Sequence, residues 1–481
     1  MKNYSKESIV NFVRGGLFIA FLVSVCGFYS CNTPYNPARY ELLLKDEPRS
    51  EDYEVWVNGA KAFVYVARVQ DAPFEKETVG LDFGGHYSFI SFDMDKPVSV
   101  KIKSKNKVFD NMVLRPDGIH VSNVKKGASE LSFIIDKPTH VIVEPDGKNS
   151  PLILFANPID DFTPDLNDPN LIYYGPGIHH PDEALIKVGA NQTLYLAEGA
   201  IVKAGVQVID ADHVTICGRG IICGNEFVWG GFSRSAIRIQ NSNHVVVKDV
   251  ILRGHATWTL PIFHSRNVMI DNVKIVAGRA QNDDGINPCN SQDIWIKNCF
   301  IRTDDDCIAA KGINFLPDTE NNVERVTVEN SILWCDRARI FLLGHESRAE
   351  YMKDMIFRNL DIVHFSMTAF LLEPGENMRL EHVAFENIRI YGEGQRELIR
   401  LRPVVNQYMQ TLLPGYINNI TFENMIVTGK DGPYKIQLMG VDEEYTVKNI
   451  NFVGVSVNNQ KITNSSGNLE TGGFVYDVTF K

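Results

Sequence analysis

One pattern of apolar and polar positions returns along the last two thirds of the chain. Each copy alternates apolar and variable residues over about four positions and ends on a small or polar residue, asparagine in most copies. Eight copies occur, at 245–249, 268–272, 294–298, 326–330, 355–359, 383–387, 420–424 and 450–454. The steps between them are 23, 26, 32, 29, 28, 37 and 30 residues. The chain therefore contains an internal repeat of uneven length.

This repeat predicts stacked coils of β-strands. Alternation with β-branched and aromatic residues is typical of strands, and most steps are too short for a strand–helix–strand crossover with its loops. Leucine-rich repeats need a uniform period and a fixed leucine pattern, which are missing here. We predict a right-handed parallel β-helix over residues 173–481, in which coils stack about 4.8 Å apart around one core. The asparagines are predicted to occupy left-handed turns and to hydrogen-bond between coils.

Upstream of the repeat, the alternating runs are short and do not recur. Residues 53–57 alternate apolar and polar side chains and are followed by Asn58-Gly59, a strong turn signal. Runs of this kind separated by turns are typical of a β-sandwich, which we predict for residues 32–156. Residues 157–172 are rich in proline, aspartate and asparagine and are predicted to be a linker.

The N-terminus has the layout of a secretory signal. Lys2, Lys6 and Arg14 precede the apolar residues 17–25, which are too few for a comfortable membrane span. Ser30 precedes Cys31, as in a bacterial lipoprotein signal whose cysteine becomes lipidated. We predict a signal over residues 1–31 and export, either as a cell-envelope lipoprotein anchored through Cys31 or as a secreted protein.

Composition excludes several classes of function. The 481 residues are 44% hydrophobic and 22% charged, as in an ordinary folded chain. The net charge of −11 gives no electrostatic footprint for nucleic acid. Six cysteines follow the N-terminal signal, in or beside strand-like runs and without zinc-site spacing. We expect them to be buried thiols rather than a disulfide framework.

Two acidic phrases lie one coil apart. Residues 282–286 read Asn-Asp-Asp-Gly-Ile and residues 303–308 read Thr-Asp-Asp-Asp-Cys-Ile. Alignment of the strands that follow places Asp284 beside Asp305 and Asp306. Crowded carboxylates raise one another's pKa values, which suits a general acid. We predict catalysis by these three aspartates, with Asn282, Asp283 and Asp304 as supporting residues that bind or orient the substrate.

The chain resembles known carbohydrate hydrolases in these phrases. The Asn-x-Asp phrase, the later Asp-Asp pair and the repeat resemble the polygalacturonases of glycoside hydrolase family 28. The longer phrases Asn-Asp-Asp-Gly and Thr-Asp-Asp-Asp, together with Trp334 and residues 360–364, are similar to the dextranases of family 49, which carry an N-terminal β-sandwich. The resemblance implies an inverting hydrolase without a cofactor or metal. It also implies that Asp305 is the general acid and that Asp284 and Asp306 hold the attacking water.

The sequence departs from the polygalacturonase pattern at two places. Arg337-Ala338-Arg339 replaces Gly-His-Gly on the strand after the aspartates, and His345 follows later. The Arg-Ile-Lys that holds a uronate carboxylate in that family falls on residues 371–373, which read Leu-Leu-Glu. A missing cationic fork favours a neutral glycan. Alternatively, Arg337 and Arg339 form a relocated cationic subsite, which would keep an acidic glycan open.

Further substrate contacts are predicted on the coil before the aspartates. Trp258 and His255 occupy about the same angular position as the acidic phrases, and an aromatic side chain there suits a sugar ring. The expected partner is therefore a polysaccharide or oligosaccharide, bound by a monomer.

Two other functions fit the predicted fold. A calcium-dependent polysaccharide lyase would also use clustered carboxylates, together with a basic proton abstractor. A non-catalytic glycan-binding protein would need only a surface that binds the glycan and no catalytic residues. Loss of activity in a chelator and an unsaturated product would identify the lyase, whereas binding without new reducing ends would identify the binding protein.

Overall fold

The computed structural model describes residues 43–67, 87–276, 282–313 and 320–481. The predicted signal and Cys31 lie outside these ranges. In them, regular structure is β-strand apart from one short 3-10 helix at Asp182–Ala184. No helix in the described ranges is both long enough and apolar enough to cross a membrane.

Two five-stranded sheets form the N-terminal β-sandwich. Their strands are β1 (Tyr53–Val57), β2 (Ala60–Lys61), β3 (Tyr65–Val66), β4 (Ser88–Asp93), β5 (Val98–Ser104), β6 (Val113–Arg115), β7 (Val121–Lys126), β8 (Glu130–Ile135), β9 (Thr139–Glu144) and β10 (Leu152–Asn157). One sheet has the order β2-β1-β5-β8-β7 and the other β3-β4-β10-β9-β6. Strand β5 alternates buried Val98, Val100 and Ile102 with exposed residues, as one face on a core requires.

A parallel β-helix follows the sandwich and contains two long sheets. Its first strands are β11 (Leu171–Tyr174), β12 (Gly177–His179), β13 (Leu185–Lys187), β14 (Thr193–Leu196), β15 (Ala200–Val202), β16 (Gly205–Ile209), β17 (Thr215–Gly218), β18 (Ile221–Cys223), β19 (Ile237–Gln240), β20 (Asn243–Lys248), β21 (Ile251–Arg253), β22 (Leu260–Phe263), β23 (Arg266–Asp271), β24 (Lys274–Val276), β25 (Ile286–Cys289), β26 (Gln292–Lys297) and β27 (Phe300–Thr303).

The later coils contain longer strands. They are β28 (Ile308–Ala310), β29 (Val323–Glu329), β30 (Ile332–Cys335), β31 (Arg339–Leu343), β32 (Tyr351–His364), β33 (Thr368–Leu372), β34 (Arg379–Glu393), β35 (Glu397–Leu401), β36 (Tyr416–Lys430), β37 (Lys435–Leu438), β38 (Val447–Val453), β39 (Ser456–Val457), β40 (Gln460–Lys461), β41 (Leu469–Thr471) and β42 (Val475–Phe480). Eleven of the helix strands, in the order β13-β16-β19-β22-β25-β28-β31-β33-β35-β37-β41, form one sheet, which we call the site sheet; the other sheet has 21 strands.

The register of the 21-stranded sheet confirms the predicted repeat. Val245 pairs with Val268, Val268 with Ile294, and Ile294 with Val326, and the same position continues to Ile450. The turn asparagines have positive φ, as predicted, for example 56° at Asn359. The Asn359 Nδ2 group donates to Asn330 Oδ1 at 3.3 Å, one coil away. The repeat thus encodes both the coil and the turn that closes it.

The core of the β-helix lies between its sheets and is almost wholly apolar. A column of rings runs through the C-terminal coils, with centroids 4.9 Å apart for Phe357 and Phe385 and 5.0 Å apart for Phe385 and Phe422. Each fully buried ring contributes about 1.5–3 kcal/mol of hydrophobic free energy. Six cysteines are free and buried, which confirms the expectation for the thiols: Cys217, Cys223, Cys289, Cys299, Cys307 and Cys335.

The sandwich packs against the β-helix through rings and buried ion pairs. Strand β10 is buried along its whole length, and its Phe155 ring lies 5.3 Å from the Phe300 ring of the β-helix. The His364 imidazole of the β-helix contacts the Glu144 carboxylate of the sandwich and, at 3.2 Å, Glu393 Oε2. Burial with partners on both sides fixes this interface, because an unpaired buried charge is costly.

Candidate active site

The two acidic phrases meet on the outer face of the site sheet. Ile286 of β25 pairs with Ile308 of β28, and the Gly285 amide donates to the Asp306 carbonyl oxygen at 2.8 Å. Asp284 and Asp306 are therefore neighbours on adjacent coils, which confirms the predicted alignment of the two phrases. On the next coil, β31 begins at Arg339, whose backbone amide donates to Asp306 Oδ1 at 3.1 Å. Both aspartates precede their strands, where the chain turns toward the outer face.

Asp284 is 1% exposed and has two side-chain donors. Asn287 Nδ2 donates to Asp284 Oδ2 at 2.7 Å, and Lys311 Nζ lies 3.3 Å from the same oxygen. Alternation along each strand explains both contacts, because Asn287 follows inward Ile286 and Lys311 follows inward Ala310. A buried carboxylate is thus bonded on one side by an amide and a cation.

Asp306 is also 1% exposed and is bonded by the neighbouring coil. Arg339 Nε lies 2.8 Å from Asp306 Oδ1, and Arg339 Nη2 donates to Asp306 Oδ2 at 3.0 Å. The hydrogen bond from Nη2 is charge-assisted, which is the stronger kind of hydrogen bond. Arg339 therefore has the Asp306 carboxylate as a close partner.

Asp305 differs from its two neighbours because it is only half-buried. Its Oδ1 accepts from the Asp306 backbone amide at 3.0 Å, and Thr303 Oγ1 and Cys335 Sγ donate to its carbonyl oxygen. No ion pair within 4.0 Å joins Asp305 to a cation in the described part of the chain. The Asp305 carboxyl is thus the one of the three that faces solvent without a cation bound to it.

Burial and crowding raise the pKa values of the two buried aspartates. For Asp284, burial raises the pKa to about 6, against the opposing effect of Lys311, and the Asp305 charge raises it further. For Asp306, burial raises the pKa to about 7, against Arg339, and the charges of Asp305 and Asp284 add to the rise. Such closely spaced carboxyls titrate as a unit. The crowding predicted from the sequence thus contributes to pKa values nearer neutral pH for both buried aspartates.

Lys311 and Trp258 close one side of the aspartate cluster. Lys311 Nζ lies 4.2 Å from the centre of the half-buried Trp258 ring and 3.3 Å from Glu346 Oε2. Burial lowers the pKa of Lys311, but the carboxylates of Asp284 and Glu346 raise it more, so the pKa lies above its usual range. Lys311 is thus a fixed cation, and Trp258 lies beside the acids as predicted.

The supporting residues of the acidic phrases lie in different places. Asp283 and Asp304 are 0% and 2% exposed. Burial is the main cause of the raised pKa of Tyr87, and the charges of Asp283 and Asp304 add to the rise. They therefore lie on the side of the cluster that is near the sandwich. Asn282 is exposed, and its Oδ1 accepts from the Trp229 indole at 3.4 Å. The acidic phrases thus connect the buried interface with an exposed loop.

The other predicted contacts lie farther from the aspartates or deeper in the protein. His255 is 1% exposed and packs against Phe227 at 5.5 Å, so its ring is covered in this structure. Arg337 is 6% exposed. His345 is partly exposed, and its Nδ1 lies 3.0 Å from Glu373 Oε2, while Glu373 Oε1 pairs with Arg402 at 3.1 Å. Trp258 and Arg339 contact the cluster, whereas His255 and His345 have other partners.

The sequence interpretation missed Lys311, Asn287 and Trp229. Continued alternation after Ile308 would have placed Lys311 on the outer face beside Asp284. Trp229 lies in an irregular loop and left no periodic signal. In the described ranges, no three His, Cys, Asp or Glu side chains converge in an arrangement that could hold a metal ion.

Part of the chain matches a family of hydrolases. Residues 205–325 match the model for glycosyl hydrolases family 28. A probable polygalacturonase of Vitis vinifera is 31% identical over 108 residues, 22% of each protein. A polygalacturonase of Medicago sativa is 26% identical over 194 residues, which cover 32% of this chain and 46% of that protein. The chain thus matches less than half the length of these curated relatives.

Solved structures match over almost the whole chain. Dex49A from Penicillium minioluteum superposes with a TM-score of 0.65 at 15% identity and covers 94% of this chain and 97% of its own. The family 28 exopolygalacturonase of Yersinia enterocolitica has a TM-score of 0.53 at 13% identity, with coverage of 90% and 94%. At these identities the superpositions show the fold alone. Together with the family match, they confirm the predicted resemblance to β-helix glycoside hydrolases of the family 28 and family 49 type.

Proposed function

We propose that this protein is an inverting glycoside hydrolase that cleaves a polysaccharide or oligosaccharide with Asp284, Asp305 and Asp306. One observation carries the proposal: two buried aspartates with raised pKa values flank a third aspartate that faces solvent. Such an arrangement keeps a proton available for the leaving oxygen and carboxylate oxygens available for water. The partial match to family 28 supports the same reaction.

Asp305 is the general acid in this mechanism. Asp284 is bonded to Lys311 and Asp306 to Arg339, and each cation lowers the pKa of its partner against the larger effect of burial. Asp305 is the one of the three that reaches solvent without a cation bound to it, so it is best placed to pass the proton of the cluster to the glycosidic oxygen. Donation of this proton to the glycosidic oxygen breaks the bond to the anomeric carbon and releases the leaving sugar as an alcohol.

Asp284 and Asp306 then act as the base. Both line the outer face on adjacent coils. Lys311 contacts Oδ2 of Asp284, and Arg339 contacts both carboxylate oxygens of Asp306. The remaining lone pairs of the two carboxylates accept the proton of a water that attacks the anomeric carbon from the opposite face. One displacement of this kind inverts the anomeric centre, and inverting enzymes place acid and base about 6.5–9.5 Å apart to admit the water.

The test is hydrolysis by the purified chain of neutral α-glucans, galacturonans and other polysaccharides. New reducing ends are expected, and proton NMR of the first product should show an inverted anomer. A retained anomer or the absence of reducing ends with every substrate would contradict the proposal. A chelator should leave the rate unchanged, whereas the lyase alternative predicts loss of activity and an unsaturated product.

The geometry of Lys311 disfavours that lyase alternative. A lyase needs a basic side chain that loses its proton near neutral pH, whereas Asp284 and Glu346 keep the pKa of Lys311 above its usual range. Arg339 is a poor base because guanidinium groups stay protonated. Hydrolysis therefore fits the charges beside the aspartates better than proton abstraction does.

We also propose that the protein is exported and anchored through Cys31. The basic, apolar and small residues of the predicted signal support this localisation. Metabolic labelling with a radioactive fatty acid should label the full chain but not a Cys31→Ala variant. Unlabelled wild-type protein in the culture medium would instead support plain secretion.

A further inference from the structure

A cleft of about 270 Å³ lies on the site sheet before the coil that carries Asp284. Its polar lining comprises Gln207, Ser233, Arg234, Ser235, Arg238 and Thr257. Gln207 of β16 pairs with Arg238 of β19, and β22 separates β19 from β25. Because adjacent strands lie about 4.8 Å apart, the cleft begins about 10 Å from the aspartates. It therefore lies in line with the candidate active site.

The charges of the two cleft arginines are uncompensated. Arg238 donates from Nε and Nη2 to the neutral Gln240 Oε1, at 3.1 and 2.6 Å. Arg234 donates from Nε and Nη2 to the Glu183 carbonyl oxygen, at 3.2 and 3.1 Å. Within the described ranges, neither forms an ion pair with a carboxylate. Each arginine is thus oriented by neutral oxygens while its charge remains available.

Three other cations along the site sheet differ in this respect. Lys311 pairs with Asp284, Arg339 with Asp306, and Arg402 with Glu373. A carboxylate of the protein already pairs with each of these cations, so an anionic ligand would have to compete with that carboxylate. Arg339 in particular is a poor candidate for the relocated cationic subsite considered from the sequence. The cleft arginines face no such competition.

A second observation in the cleft points to a ligand. The Ser233 hydroxyl oxygen is buried and has no hydrogen-bond partner in the described structure. A buried hydroxyl without a partner costs free energy, and an anionic oxygen bound between the arginines would accept its proton. Hydroxyl and guanidinium groups together suit a carboxylate or sulfate.

An aromatic floor connects the cleft to the aspartates. The Arg238 guanidinium lies 5.0 Å from the Phe263 ring, and Phe263 stacks on Trp258 at 6.2 Å. Trp258 in turn contacts Lys311, which pairs with Asp284. On the exposed loop, Trp229 is 40% exposed and bonds Asn282. The partly exposed rings of Trp258 and Trp229 suit a sugar ring, whereas Phe263 is buried and packs beside Trp258.

We propose that this cleft binds an anionic sugar of the glycan, through Arg234, Arg238 and the Ser233 hydroxyl, while the bond is cleaved at the aspartates. This inference rests on the proposed hydrolase function and specifies its substrate as an acidic glycan. The anion is the carboxylate of a uronic acid or a sulfate ester. The proposal opposes the expectation of a neutral glycan, which considered only residues 371–373 and Arg337 and Arg339.

Kinetics on matched substrates test the cleft. The probes are a galacturonate oligosaccharide, its methyl-esterified neutral form and a sulfated form of a neutral oligosaccharide. Wild-type protein should have a higher kcat/KM on an anionic probe than on its neutral form, and the preferred anion identifies the substituent. The Arg234→Gln, Arg238→Gln double variant should lose about 10–100-fold on that probe, mostly through KM, since it removes the charge-assisted hydrogen bonds to the anion.

Controls separate this inference from the proposed function. Arg379→Gln removes an exposed arginine elsewhere on the β-helix and should leave the preference unchanged. Equal rates on charged and neutral probes, or a double variant that keeps the preference, would overturn the cleft and leave the hydrolase intact. If none of these probes is hydrolysed, the hydrolase proposal is judged on the wider range of polysaccharides given above. Calorimetric titration with the two anionic probes then tests whether the cleft binds an anion. Binding by wild-type protein that the double variant lacks supports the proposed cleft site, and the absence of binding overturns it.

Discussion

Two groups of wholly or partly buried carboxylates in the described part of the chain have opposite pKa shifts. In the candidate active site, the pKa of Asp284 is raised to about 6 and that of Asp306 to about 7. At the sandwich interface, the pKa of Glu393 is lowered to about 2, and that of Glu144 is also lowered. Burial raises the pKa in all four cases, so burial alone does not decide the direction.

The neighbours of each carboxylate explain the difference. His364 bonds both interface glutamates, Arg115 Nε lies 3.0 Å from Glu144 Oε2, and Lys148 Nζ lies 3.5 Å from Glu393 Oε2. Cationic partners outweigh burial there. In the active site, each buried aspartate has a cation, but Asp305 adds a like charge between them. The interface is organised to hold charges, whereas the site is organised to exchange a proton.

The largest expected effect is the loss of that proton from the site. Asp305→Asn should lower kcat on substrates with poor leaving groups by about 10²–10⁴-fold, the usual contribution of general acid catalysis. The fold should remain, because Asp305 is half-buried and the backbone amide of Asp306 can still donate to the asparagine oxygen. Reducing-end release and thermal unfolding of the purified variant measure both quantities.

A matched substitution provides the control for this variant. Asp293 is partly exposed and pairs with Arg325 on the other sheet of the β-helix, so Asp293→Asn removes a carboxylate of the same size at a distance from the site. It should keep normal activity. Near-normal activity in folded Asp305→Asn would rule out Asp305 as the acid.

At the interface, loss of one partner should reduce stability instead. Glu144→Gln leaves His364 and Arg115 near a neutral amide in a buried place. Breaking a buried pair in this way costs about 3–5 kcal/mol of unfolding free energy. Urea denaturation of wild type and variant measures the change, and a loss below about 1 kcal/mol would show that the interface charges are solvated.

The sequence predicted the coil far better than the site's charge partners. The spacing of Val245, Val268 and Ile294 gave the register directly, because a period of two and a repeated turn determine which residues pair. The same logic placed Asp284 beside Asp306. The same pairing register applies in every coil, so the pairing of strands can be derived from a single sequence.

Contacts made by loops and between the sandwich and the β-helix were not predictable in this way. Arg234 and Trp229 lie in an irregular segment, where no period relates sequence to position. Trp334 and His364, which contributed to the family 49 resemblance, stack at 4.3 Å at the sandwich interface. Glu144, the partner of His364, is 220 positions away from it in sequence. Only the packed structure reveals such a pair.

The pH dependence of activity should reflect the shared proton of the site. We expect the active form to hold one proton among Asp284, Asp305 and Asp306. With pKa values of about 6 and about 7, kcat/KM should peak between these values. It should fall by about tenfold per pH unit on either side, as a second proton binds the base or the last proton leaves the acid. A rate that is flat from pH 5 to pH 8 would contradict this assignment.

The interface should show its own pH dependence, in stability. The pKa of His364 is raised above its ordinary value of 6.5: burial lowers it, but Glu144 and Glu393 raise it more. Its stabilisation is therefore complete below pH 6.5 and is lost as pH rises through the folded pKa. Each unit of separation between the two pKa values corresponds to about 1.4 kcal/mol.

A His364→Gln variant isolates this contribution. Asp284 and Asp306 also have raised pKa values, so their contribution to the unfolding free energy falls as pH rises. That fall is the same in wild type and in the His364→Gln variant. Between pH 6 and pH 9, wild type should therefore lose more unfolding free energy than the variant. Parallel losses in urea titrations at the two pH values would show that His364 is neutral in the folded protein.

The smallest effect should come from an ion pair that belongs to neither place. Arg379 Nη2 lies 2.9 Å from Glu350 Oε1, and the two side chains are 50% and 72% exposed. Water screens such a pair, so Arg379→Gln should change the unfolding free energy by about 0–1 kcal/mol. The Arg379–Glu350 pair is no longer than the His364–Glu393 pair, which measures 3.2 Å. Even so, the expected loss of unfolding free energy in Arg379→Gln is several times smaller than in Glu144→Gln. Urea titrations of Arg379→Gln and Glu144→Gln side by side test whether burial sets the size of the effect. Equal losses would show that it does not, and that partner charge alone accounts for the difference between the site and the interface.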